Sequence, residues 1–413
     1  MLRDKHILLG VAGGIAAYKA VQVAHDLTKA GAKVDVLMTS AATRFITPLT
    51  FQALTHRPVH TDIFEAWTED FQGHVTLAHQ ADAALIVPAT ADMLAKLAHG
   101  LADDVIGLTL LSCTAPLLLA PAMESNMYAH PATRQNLATL IERGATIVEA
   151  EYGVLASGAM GWGRLAEPDQ IVAAVKLMLG RKEGTLVGQR LVVTAGGTQE
   201  PLDPVRYIGN RSSGQMGYAL AQAALWRGAT VTLISGPVRL EPPYGVHFIG
   251  VQTAREMEKA VHAALDADAH GQRADVLIMA AAVADYRPTQ VSDHKIKKTG
   301  NALHLELEIN PDILAGLNAQ PSLENLLRVG FAAETDDLLR NAEKKLVSKN
   351  LDLIVANEAV SSIGAPDNEV TLIERGGKQT PLHRLPKAQV AEAILDKVGE
   401  ISSRLRATRN GHF

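Results

Sequence analysis

Short apolar runs alternate with helical stretches from the start of this chain. The first run, His6–Val11, is followed by a helical stretch over 15–29 and by a second apolar run over 32–38. Strands that are apolar at almost every position are buried on both faces of a sheet, and parallel strands need such helices as crossovers. The pattern continues in further apolar runs, at 84–87, 117–119 and 146–148. The chain is therefore predicted to be an α/β protein built on parallel sheets.

The same plan starts again in the second half of the chain. The apolar run 190–194 opens into Ala-Gly-Gly-Thr at 195–198, much as the first run opens into Ala-Gly-Gly-Ile at 12–15. The segment 227–233 then repeats the helix end, glycine and strand of 30–36. A helix that ends on glycine and leads into a parallel strand is a common feature of βαβ units. The repeat indicates two domains of similar architecture and does not require a common function.

The boundary between these domains is predicted from composition. Residues 181–189 are polar, charged and glycine-containing, which is typical of a linker. The length of 413 residues fits two or three domains, each long enough to bury a core. We predict two tandem Rossmann-like domains, a flavodoxin-like domain over 1–180 and a nucleotide-binding domain over 190–413.

The composition excludes several classes of protein. With 39 Lys+Arg against 44 Asp+Glu, the formal net charge of −5 provides no field that would hold nucleic acid or an anionic membrane. One cysteine excludes a disulfide framework and a thiolate metal cluster within one chain. No apolar run reaches the roughly 18 residues of a spanning helix, and the N-terminus lacks a signal-peptide pattern. We expect a cytoplasmic protein with small-molecule substrates.

Polar residues follow several of the predicted strands in the first half. Gly13-Gly14 follows the first strand, Thr39-Ser40 the second, and 88–92 a later one. A glycine-rich turn before a helix suits phosphate, and ligands of doubly wound sheets lie at the carboxyl ends of the strands. A tight packing turn would use the same glycines, however, so the spacing alone leaves packing and phosphate binding open.

Longer motifs in the first half resemble the flavin-dependent cysteine decarboxylase family. They are Gly13-Gly14-Ile15-Ala16-Ala17-Tyr18-Lys19, Ile46-Thr47-Pro48-Leu49, Gly73-His74-Val75, Ala89-Thr90-Ala91-Asp92 and Pro121-Ala122-Met123. Motifs in the second half are similar to phosphopantothenate–cysteine ligase, namely the segments at 200–208, 210–214 and 281–286. In this order, and over nearly the whole chain, the two halves resemble the bifunctional decarboxylase/ligase family of coenzyme A biosynthesis.

The resemblance implies that the first domain binds FMN and forms 4′-phosphopantetheine. In the family the substrate thiol is oxidised, and the oxidised group accepts the electron pair that remains when carbon dioxide leaves. The flavin then returns its electrons to the product. The family's histidine corresponds to His74, an acid/base or carboxylate-binding candidate, although a lone histidine is usually structural or exposed. The implied FMN-binding positions are Gly13, Gly14, Ile15, Thr39, Ser40, Ala89, Thr90 and Met123.

Two candidate catalytic positions depart from the decarboxylase pattern. Glu124 replaces the family's asparagine, and an ionised glutamate, with a reference pKa of about 4.3, would repel the substrate carboxylate that the asparagine holds. Ser157 replaces a cysteine that protonates the enethiol intermediate, and a hydroxyl is a far weaker acid than a thiol. Asn126 is expected to point elsewhere from a turn. Cys113, in an apolar stretch, is no obvious replacement.

These departures leave several interpretations of the first domain open. It decarboxylates by a modified route, acts on a related substrate as a paralogue, or is a catalytically silent flavin-binding scaffold for regulation or oligomerisation. Active sites of this family form between subunits, so a paralogous partner chain is a further source of the missing groups. The resemblance also implies a homo-oligomer, with trimer-based dodecameric shells of the decarboxylase and dimers of the ligase.

The resemblance implies that the second domain joins 4′-phosphopantothenate to cysteine with CTP, through an acyl-cytidylate. A carboxylate must attack an anionic phosphate, so this chemistry needs cations and aligned donors. Lys295 begins a basic run that is either a solvated surface or, at the family's spacing, a triphosphate contact. Asp285 corresponds to a CTP and Mg²⁺ contact, and magnesium suits a carboxylate with phosphate oxygens. A ligase that takes another phosphorylated acid or another amine is the alternative.

The remaining positions carried over from the family form one set. Asn210 corresponds to the asparagine that handles the acyl-cytidylate, and the amides of 196–198 and 212–214 are candidates for holding the substrate phosphate. Lys345 and Lys349 lie one helical turn apart and share a face, although such a pair is also typical of an ordinary helix surface. The other implied CTP contacts are Asn310, Pro311, Asp312, Ile313 and Phe331.

Overall fold

A computed structural model of the chain describes most of its residues, in the ranges 2–64, 67–68, 71–266, 271–298, 302–334, 337–358, 365 and 367–410. The chain divides into two compact units, 1–179 and 180–413. Within the described ranges, no helix combines the length and the apolarity needed to span a membrane.

The described residues of the first unit form ten strands and eight helices, of which the last ends at residue 183. The strands are β1 His6–Val11, β2 Lys33–Met38, β3 Val59–His60, β4 Trp67–Thr68, β5 Phe71–Gln72, β6 Ala83–Ala89, β7 Leu117–Pro121, β8 Thr146–Ile147, β9 Glu151–Val154 and β10 Met160–Arg164. The helices are α1 Ala17–Lys29, α2 Pro48–Thr55, α3 His74–Gln80, α4 Ala91–His99, α5 Val105–Leu111, α6 Ser125–Ala129, α7 Pro131–Glu142 and α8 Pro168–Glu183.

The main sheet of the first unit is parallel throughout. Its order is β3-β2-β1-β6-β7-β8, the 3-2-1-4-5-6 arrangement of a Rossmann-type sheet. All seven residues of β6 are buried, as expected for a strand covered on both faces. On one face Leu8, Ile86 and Leu119 of the sheet share a core with Met93 of α4 and Leu140 of α7. The predicted parallel α/β class is confirmed.

The second unit repeats this plan with additions. Its strands are β11 Arg190–Ala195, β12 Gln199–Pro201, β13 Tyr207–Gly209, β14 Thr230–Ser235, β15 His247–Gly250, β16 Val276–Met279, β17 Tyr286–Pro288, β18 Leu307–Ile309, β19 Leu327–Glu334, β20 Leu353–Glu358, β21 Asp367–Glu374 and β22 Gln379–Pro386. Its helices are α9 Gln215–Trp226, α10 Ala254–Leu265, α11 Ile313–Gly316, α12 Leu338–Ser348 and α13 Lys387–Asn410.

The sheet of the second unit has the order β15-β14-β11-β16-β19-β20-β21-β22. Its first six strands are parallel and again follow the 3-2-1-4-5-6 order, whereas β21 and β22 are antiparallel additions at one edge. Val192, Leu277 and Ile354 of the sheet pack with Met257 of α10 and Leu346 of α12. The repeat of the Gly-Gly turns therefore reflects two sheets of the same order.

The predicted boundary between the domains differs in one detail from the structure. Helix α8 continues to Glu183, so residues 181–183 of the predicted linker are helical. Ile171, Val175 and Leu179 of this helix are buried and recur at intervals of four residues. This apolar stripe stabilises the helix, which continues through the charged residues Arg181 and Lys182.

Candidate functional site

A cavity of about 920 Å³ lies at the carboxyl ends of the strands in the first unit. Its lining includes the turn after β1, the loop after β2 and the start of α4 after β6. The strand order reverses between β1 and β6, and this switch point is where ligands of doubly wound sheets bind. The three polar loops that the sequence predicts to converge therefore line one cavity.

Close backbone packing explains the glycine after β1. A Cβ atom on Gly13 would lie 2.4 Å from the Cβ atom of Ala41 and 2.9 Å from its carbonyl carbon, so no larger residue fits. In the same loop, Thr39 Oγ1 accepts a hydrogen bond from the Ala42 amide at 3.1 Å. Gly13 is thus required for packing, and the turn also lines the cavity. The packing interpretation therefore holds at Gly13, and phosphate binding by this turn stays a prediction.

The start of α4 offers amide groups to this cavity. Thr90 caps the helix, with its Oγ1 atom accepting from the Met93 amide at 3.2 Å, and Ala91 and Asp92 also line the cavity. The first N–H groups of a helix lack intrahelical acceptors and carry a partial positive charge. This end of the cavity therefore suits an anionic group such as a phosphate.

Most of the predicted FMN-binding residues line this cavity. Ala89 does not, because it lies fully buried at the end of β6, one residue before the lining begins. His74 does not line the cavity either; it is the first residue of α3 and is half-buried. The lining positions are Gly13, Gly14, Ile15, Thr39, Ser40, Thr90 and Met123.

Glu124 has a structural role that the sequence did not indicate. It is the N-cap of α6, with Oε2 accepting from the amides of Asn126 at 2.7 Å and Met127 at 3.3 Å. The Asn126 side chain donates to Oε1 of the same carboxylate at 3.4 Å and does not line the cavity. Glu124 therefore lines the cavity while its oxygens are held by the helix start. Cap residues satisfy amides that the helix leaves open.

The β9–β10 hairpin packs on this same helix start through glycines. A Cβ atom on Gly163 would lie 2.1 Å from the Met123 carbonyl oxygen, and one on Gly161 would lie 2.0 Å from Ser125 Oγ. Met123 N donates to the Gly163 carbonyl at 3.0 Å, and Ser125 Oγ donates to the Trp162 carbonyl at 2.9 Å. The hairpin loop carries Ser157, which is exposed and lines the cavity with Glu124. The two substituted positions thus share one cavity.

A charged cluster in this cavity was missed by the sequence analysis. Lys96 Nζ lies 3.0 Å from Asp103 Oδ1, 3.2 Å from Asp104 Oδ2 and 3.7 Å from Asp92 Oδ2. The hydrogen bond to Asp103 above all, with further contributions from Asp104 and Asp92, raises the pKa of Lys96 against the effect of burial. All four residues line the cavity. The i,i+4 spacing of Asp92 and Lys96 was the only local signal.

A second cavity, of about 710 Å³, lies at the corresponding edge of the second sheet. Residues 280–285, which follow β16, line this cavity. The Ala282 amide donates to the Gly196 carbonyl at 2.8 Å, and the Ala282 carbonyl accepts from the Thr198 amide at 3.3 Å. The Thr198 hydroxyl also accepts from the Ala284 amide at 2.9 Å. The turn 196–198 therefore supports this loop and does not line the cavity. The other segment predicted to hold the substrate phosphate, 212–214, does line it.

The Asn-Pro-Asp-Ile turn is held by a buried network. Asn310 Nδ2 donates to the Ala284 carbonyl at 2.8 Å, and its Oδ1 atom accepts from Arg287 at 2.9 Å. Arg287 also donates to the Ile309 carbonyl at 2.9 Å and pairs with Glu308. The Asn310 side chain thus orients the turn, and the sequence analysis missed Arg287 as its positioning residue.

Lys345 of α12 and Lys349, directly after the end of this helix, both face the second cavity. Lys345 Nζ donates to the Phe331 carbonyl at 2.7 Å, and Lys349 Nζ lies 3.1 Å from Asp312 Oδ2. Asp312 also caps α11 through the Ala315 amide at 3.1 Å. All four residues line the second cavity, so the shared face of the lysines is a cavity wall and not an ordinary surface.

Asn210 and Asp285 complete the charged and polar lining. Asn210 Nδ2 donates to the Val283 carbonyl at 3.0 Å, which ties the 210–214 loop to the loop after β16. Asp285 is exposed, and within the described ranges its carboxylate makes no hydrogen bond or ion pair. The cavity therefore presents one uncommitted carboxylate near two lysines.

Lys295 alone among the predicted nucleotide contacts does not line this cavity. It is exposed, and the neighbouring Ile296 amide donates to Asp203 Oδ2 at 3.1 Å. Burial opposes ionisation of Asp203, but backbone donors from Val205, Ile296 and Arg206 hold its pKa below the ordinary value. The hydrogen bond between the Ile296 amide and Asp203 therefore holds the start of the basic run outside the cavity lining.

Three polar residues of the second cavity were not predicted. Asn357 is the penultimate residue of β20, Asn368 lies on β21 and Lys387 begins α13, and all three are buried. They belong to the antiparallel end of the sheet, which the sequence analysis did not assign to a site. Polar residues within apolar strands, at the ends of β20 and β21, were the available signal.

Comparisons with known proteins assign the two units to described classes. Residues 1–180 match the family model Flavoprotein, and residues 186–401 match the model DNA/pantothenate metabolism flavoprotein C-terminal domain. The crystal structure of the C-terminal domain of Coenzyme A biosynthesis bifunctional protein CoaBC is 39% identical, with a TM-score of 0.46, and covers 54% of this chain and 100% of that chain.

Full-length relatives identify the family. The chain is 45% identical over 407 residues to the Coenzyme A biosynthesis bifunctional protein CoaBC of Bacillus subtilis (strain 168), covering 97% of this chain and 98% of that protein. It is also 45% identical to the protein of that name from Vibrio cholerae serotype O1, covering 97% and 99%. The chain belongs to the family of coenzyme A biosynthesis bifunctional proteins, in which the Flavoprotein domain is the decarboxylase and the other domain the ligase.

Proposed function

We propose that the second domain joins 4′-phosphopantothenate to cysteine, with CTP as the activating nucleotide. The observation that carries this proposal is the convergence of Asn210, Asp285, Lys345 and Lys349 on one cavity. These residues lie up to 139 positions apart in the sequence, on three different segments. Activation of a carboxylate by a nucleotide needs cations, a metal-binding carboxylate and a polar amide together.

The nucleotide end of this cavity is assigned to the turn at 310–313 and to Phe331. Arg287 and Asn310 hold the turn rigidly, so its backbone groups are available in a fixed geometry for a base edge. Phe331 offers a ring for stacking against cytosine. Lys345 and Lys349 are proposed to contact phosphate or ribose oxygens beside it. Lys295 remains a proposed triphosphate contact, although it does not line the cavity.

Magnesium is proposed to bind at Asp285. Mg²⁺ takes oxygen ligands and usually combines one or two carboxylates with phosphate oxygens and water. The uncommitted carboxylate of Asp285 fits this role, whereas Asp312 is already bonded to Lys349. Within the described ranges, no group of three or more His, Cys, Asp or Glu side chains forms a metal site of its own. The phosphates of CTP would supply the other ligands.

Two steps account for the overall reaction. The carboxylate of 4′-phosphopantothenate attacks the α-phosphorus of CTP, and pyrophosphate leaves. The amine of cysteine then attacks the acyl carbon, the bond from that carbon to the phosphate oxygen breaks, and CMP leaves while the amine proton passes to solvent. Asn210 is proposed to stabilise charge at the acyl oxygen in this second step.

Pyrophosphate release tests the ligase proposal. With Mg²⁺ and CTP, purified protein should release pyrophosphate only when 4′-phosphopantothenate is present, and addition of cysteine should yield the amide by mass spectrometry. Equal release with ATP, or none with any nucleotide, would overturn the assignment to CTP.

We propose that the first domain binds FMN in the 920 Å³ cavity. The group fits the residues present, since hydroxyls of Thr39, Ser40 and Thr90 and the first turn of α4 surround one end while Ile15 and Met123 supply apolar surface. FMN, when bound, supplies two-electron oxidation of a substrate thiol and returns the electrons. A yellow chromophore that copurifies and is lost in Gly13→Val would support this site.

The proposed substrate of this domain is phosphopantothenoylcysteine, the product of the ligase. Glu124 and Ser157 line the cavity at the positions proposed to face the substrate carboxylate and the proton-donating group. The cap on α6 holds the Glu124 carboxylate in place, so its charge opposes an anionic substrate. We therefore expect slow turnover by this chain alone. His74 stays a proposed catalytic residue of the assembled protein.

A homo-oligomer in the cytoplasm is proposed as the working form. In the second unit, the β12–β13 and β17–β18 hairpins expose Tyr207, Tyr286 and Ile309, which are 54%, 52% and 73% exposed. In the first unit, the β9–β10 hairpin exposes Trp162 beside the cavity. Apolar side chains grouped in this way are typical of protein interfaces. Light scattering on the purified full chain would measure the assembly.

A further inference from the structure

The backbone around the carboxylate proposed to bind Mg²⁺ is hydrogen-bonded at three points. Thr198, which is fully buried, accepts the Ala284 amide with its Oγ1 atom at 2.9 Å. Asn310 makes the other two contacts: Nδ2 donates to the Ala284 carbonyl at 2.8 Å, and the backbone amide donates to the Asp285 carbonyl at 2.8 Å. The Asp285 carboxylate itself is exposed and bonds to no described residue. These contacts therefore fix the backbone of Asp285 and leave its side chain for a ligand.

Arg287 determines the orientation of the Asn310 side chain. Arginine has only donors, so the amide oxygen of Asn310 faces Arg287, whose Nη1 atom donates to it at 2.9 Å, and the amide nitrogen faces Ala284. A reversed amide would bring donors together at Arg287 and acceptors together at Ala284. The Arg287 side chain is 14% exposed and, like Thr198, does not line the cavity. Both residues are thus placed to act through other residues and not by touching a ligand.

The same arginine holds the start of the turn proposed for the nucleotide base. Its Nη1 atom also donates to the Ile309 carbonyl at 2.9 Å, and its Nε atom lies 2.8 Å from Glu308 Oε1. In the β17–β18 ladder Arg287 lies opposite Glu308. One guanidinium therefore contacts three consecutive residues, 308–310, that lead into the turn. Asp285 lies two residues before Arg287, so the turn and the carboxylate are held by one short segment.

We propose that Arg287 is a positioning residue that couples recognition of the base to binding of the metal. Through Asn310 it fixes both the turn 310–313 and the backbone carbonyls of Ala284 and Asp285. Thr198 is a second positioning residue, which acts on the metal carboxylate and not on the turn. This inference rests on the proposed ligase function, and it adds that the base contact and the Mg²⁺ contact of the nucleotide depend on one side chain.

Nucleotide binding without turnover tests this inference. Isothermal titration calorimetry on the full chain, with no acyl substrate present, gives Kd for CTP and for UTP, each with Mg²⁺ and with EDTA. The two nucleotides share the ribose and the triphosphate, so the ratio of their Kd values measures the base contact. The ratio of the CTP values with EDTA and with Mg²⁺ measures the metal contact. The wild type should prefer CTP and bind it more tightly with Mg²⁺.

The variants are expected to separate the two positioning residues. In Arg287→Met both ratios should fall on the order of tenfold, the loss of a hydrogen bond from a charged group. Arg287→Lys keeps the charge and one donor, so it should recover part of both ratios. In Thr198→Val, which lacks only the hydroxyl, the Mg²⁺ ratio should fall about fivefold and the base ratio should stay within about twofold of wild type. Thr198→Ser should restore the Mg²⁺ ratio.

A matched control and a kinetic measurement accompany these variants. Arg273 is an exposed arginine of the same domain that donates to the Ser322 carbonyl at 2.7 Å and does not line the cavity. Arg273→Met should leave both ratios within about twofold of wild type. In pyrophosphate release, Arg287→Met should raise KM for CTP far more than it lowers kcat at saturating CTP and Mg²⁺. If Arg287→Met does not fold, as judged by circular dichroism, Arg287→Lys takes its place.

The outcomes distinguish this inference from the ligase proposal. A fall in the base ratio alone in the Arg287 variants would overturn the coupling and leave Arg287 as a support of the turn. Lower melting temperatures with both ratios unchanged would make the whole network structural. A change in the base ratio of Thr198→Val as large as the change in its Mg²⁺ ratio would overturn the separate role of Thr198. Equal binding of CTP and UTP by the wild-type chain would instead overturn the proposed use of CTP.

Discussion

The two cavities occupy equivalent positions in two sheets of the same strand order, yet their linings differ in charge. The first cavity combines glycines, hydroxyls and apolar side chains with three basic and four acidic residues, and three of the four acids surround Lys96. The second cavity is lined by four basic residues and only two acidic ones, Asp285 and Asp312, of which Asp312 is paired with Lys349. The sheet therefore determines where a ligand binds, whereas the loops after the strands determine which chemistry is available.

The antiparallel strands sharpen this contrast. Only the second main sheet adds β21 and β22, and these strands contribute Asn368 and position Lys387 at the cavity. The first cavity is instead closed by the β9–β10 hairpin, whose glycines pack on the start of α6. Each addition to the common sheet thus contributes residues to the lining of its own cavity.

The largest effect is expected in the second cavity, from Asn210→Asp. The amide donates to the Val283 carbonyl, and an aspartate would lose this bond and add a negative charge beside the reacting acyl group. We expect amide formation to slow by roughly 10²–10³-fold, the range for loss of one such stabilising group, with a much smaller effect on pyrophosphate release. Rapid quench should show accumulated acyl-cytidylate.

Asn210→Ala serves as the control for this prediction, because it removes the amide without adding charge. It should accumulate the same intermediate to a smaller extent. Loss of CTP binding in both variants would instead assign Asn210 to the nucleotide pocket.

The first cavity is tested by restoring its two substituted positions. Asparagine is also a good N-cap, so Glu124→Asn should keep α6 while removing a like charge, worth on the order of 1–4 kcal/mol at close range. Carbon dioxide release should rise tenfold or more at that level of repulsion. Addition of Ser157→Cys should convert the oxidised enethiol product into 4′-phosphopantetheine, as measured by mass spectrometry.

The matched control is Glu142→Gln, an exposed carboxylate on α7 that does not line the cavity. It should leave carbon dioxide release unchanged. Brisk formation of 4′-phosphopantetheine by the unmodified chain, with no partner chain present, would contradict the assigned roles of Glu124 and Ser157.

Asp285→Asn tests the charge difference between the cavities, with a smaller expected effect than the two preceding substitutions. An asparagine keeps the shape but offers a neutral oxygen to Mg²⁺, so the magnesium concentration that gives half-maximal pyrophosphate release should rise about tenfold. Asp293→Asn, an exposed residue outside the cavity, is the control. An unchanged magnesium requirement in Asp285→Asn would exclude this carboxylate as a ligand.

The smallest effect concerns stability of the second domain and not its chemistry. Burial would raise the pKa of Glu374, but hydrogen bonds from Arg404 and Lys397 outweigh burial and lower it below the model-compound value of 4.5. Stability from this group is therefore present above about pH 4.5 and is lost as the pH falls through the lowered pKa. Glu374→Gln should cost about 1–3 kcal/mol in the free energy of unfolding at pH 7.

Urea unfolding at several pH values checks this prediction. The difference between the wild type and Glu374→Gln should shrink as the pH falls below about 4.5, because the wild-type carboxyl then becomes protonated as well. Glu369→Gln, an exposed residue on the same strand, should show no such trend. A difference that is independent of pH would mean that packing, and not charge, accounts for the cost.

Local patterns in the sequence were sufficient for the fold class, and resemblance to a family supplied much of both linings. Apolar runs at His6–Val11 and 190–194 predicted parallel strands because burial on both faces leaves no room for polar alternation. The Gly13-Gly14 turn was noticed from its place between a strand and a helix, where a close approach restricts which residues fit. The motif at 310–313 and the contacts Lys345 and Lys349 were found by resemblance to the family, and these residues line the cavity.

Only the tertiary structure decided the roles of groups whose partners lie far away in the chain. Glu124 became a helix cap, Asp203 anchored the basic run at Ile296 away from the cavity, and Arg287 became the support of Asn310. The burial of Lys387 and Asn368 depends on the pairing of β21 with β22 and on Gln215, 172 residues before Lys387. Sequence patterns report local geometry and apolar burial, whereas the charge environment of a side chain is set by whatever the packed chain brings beside it.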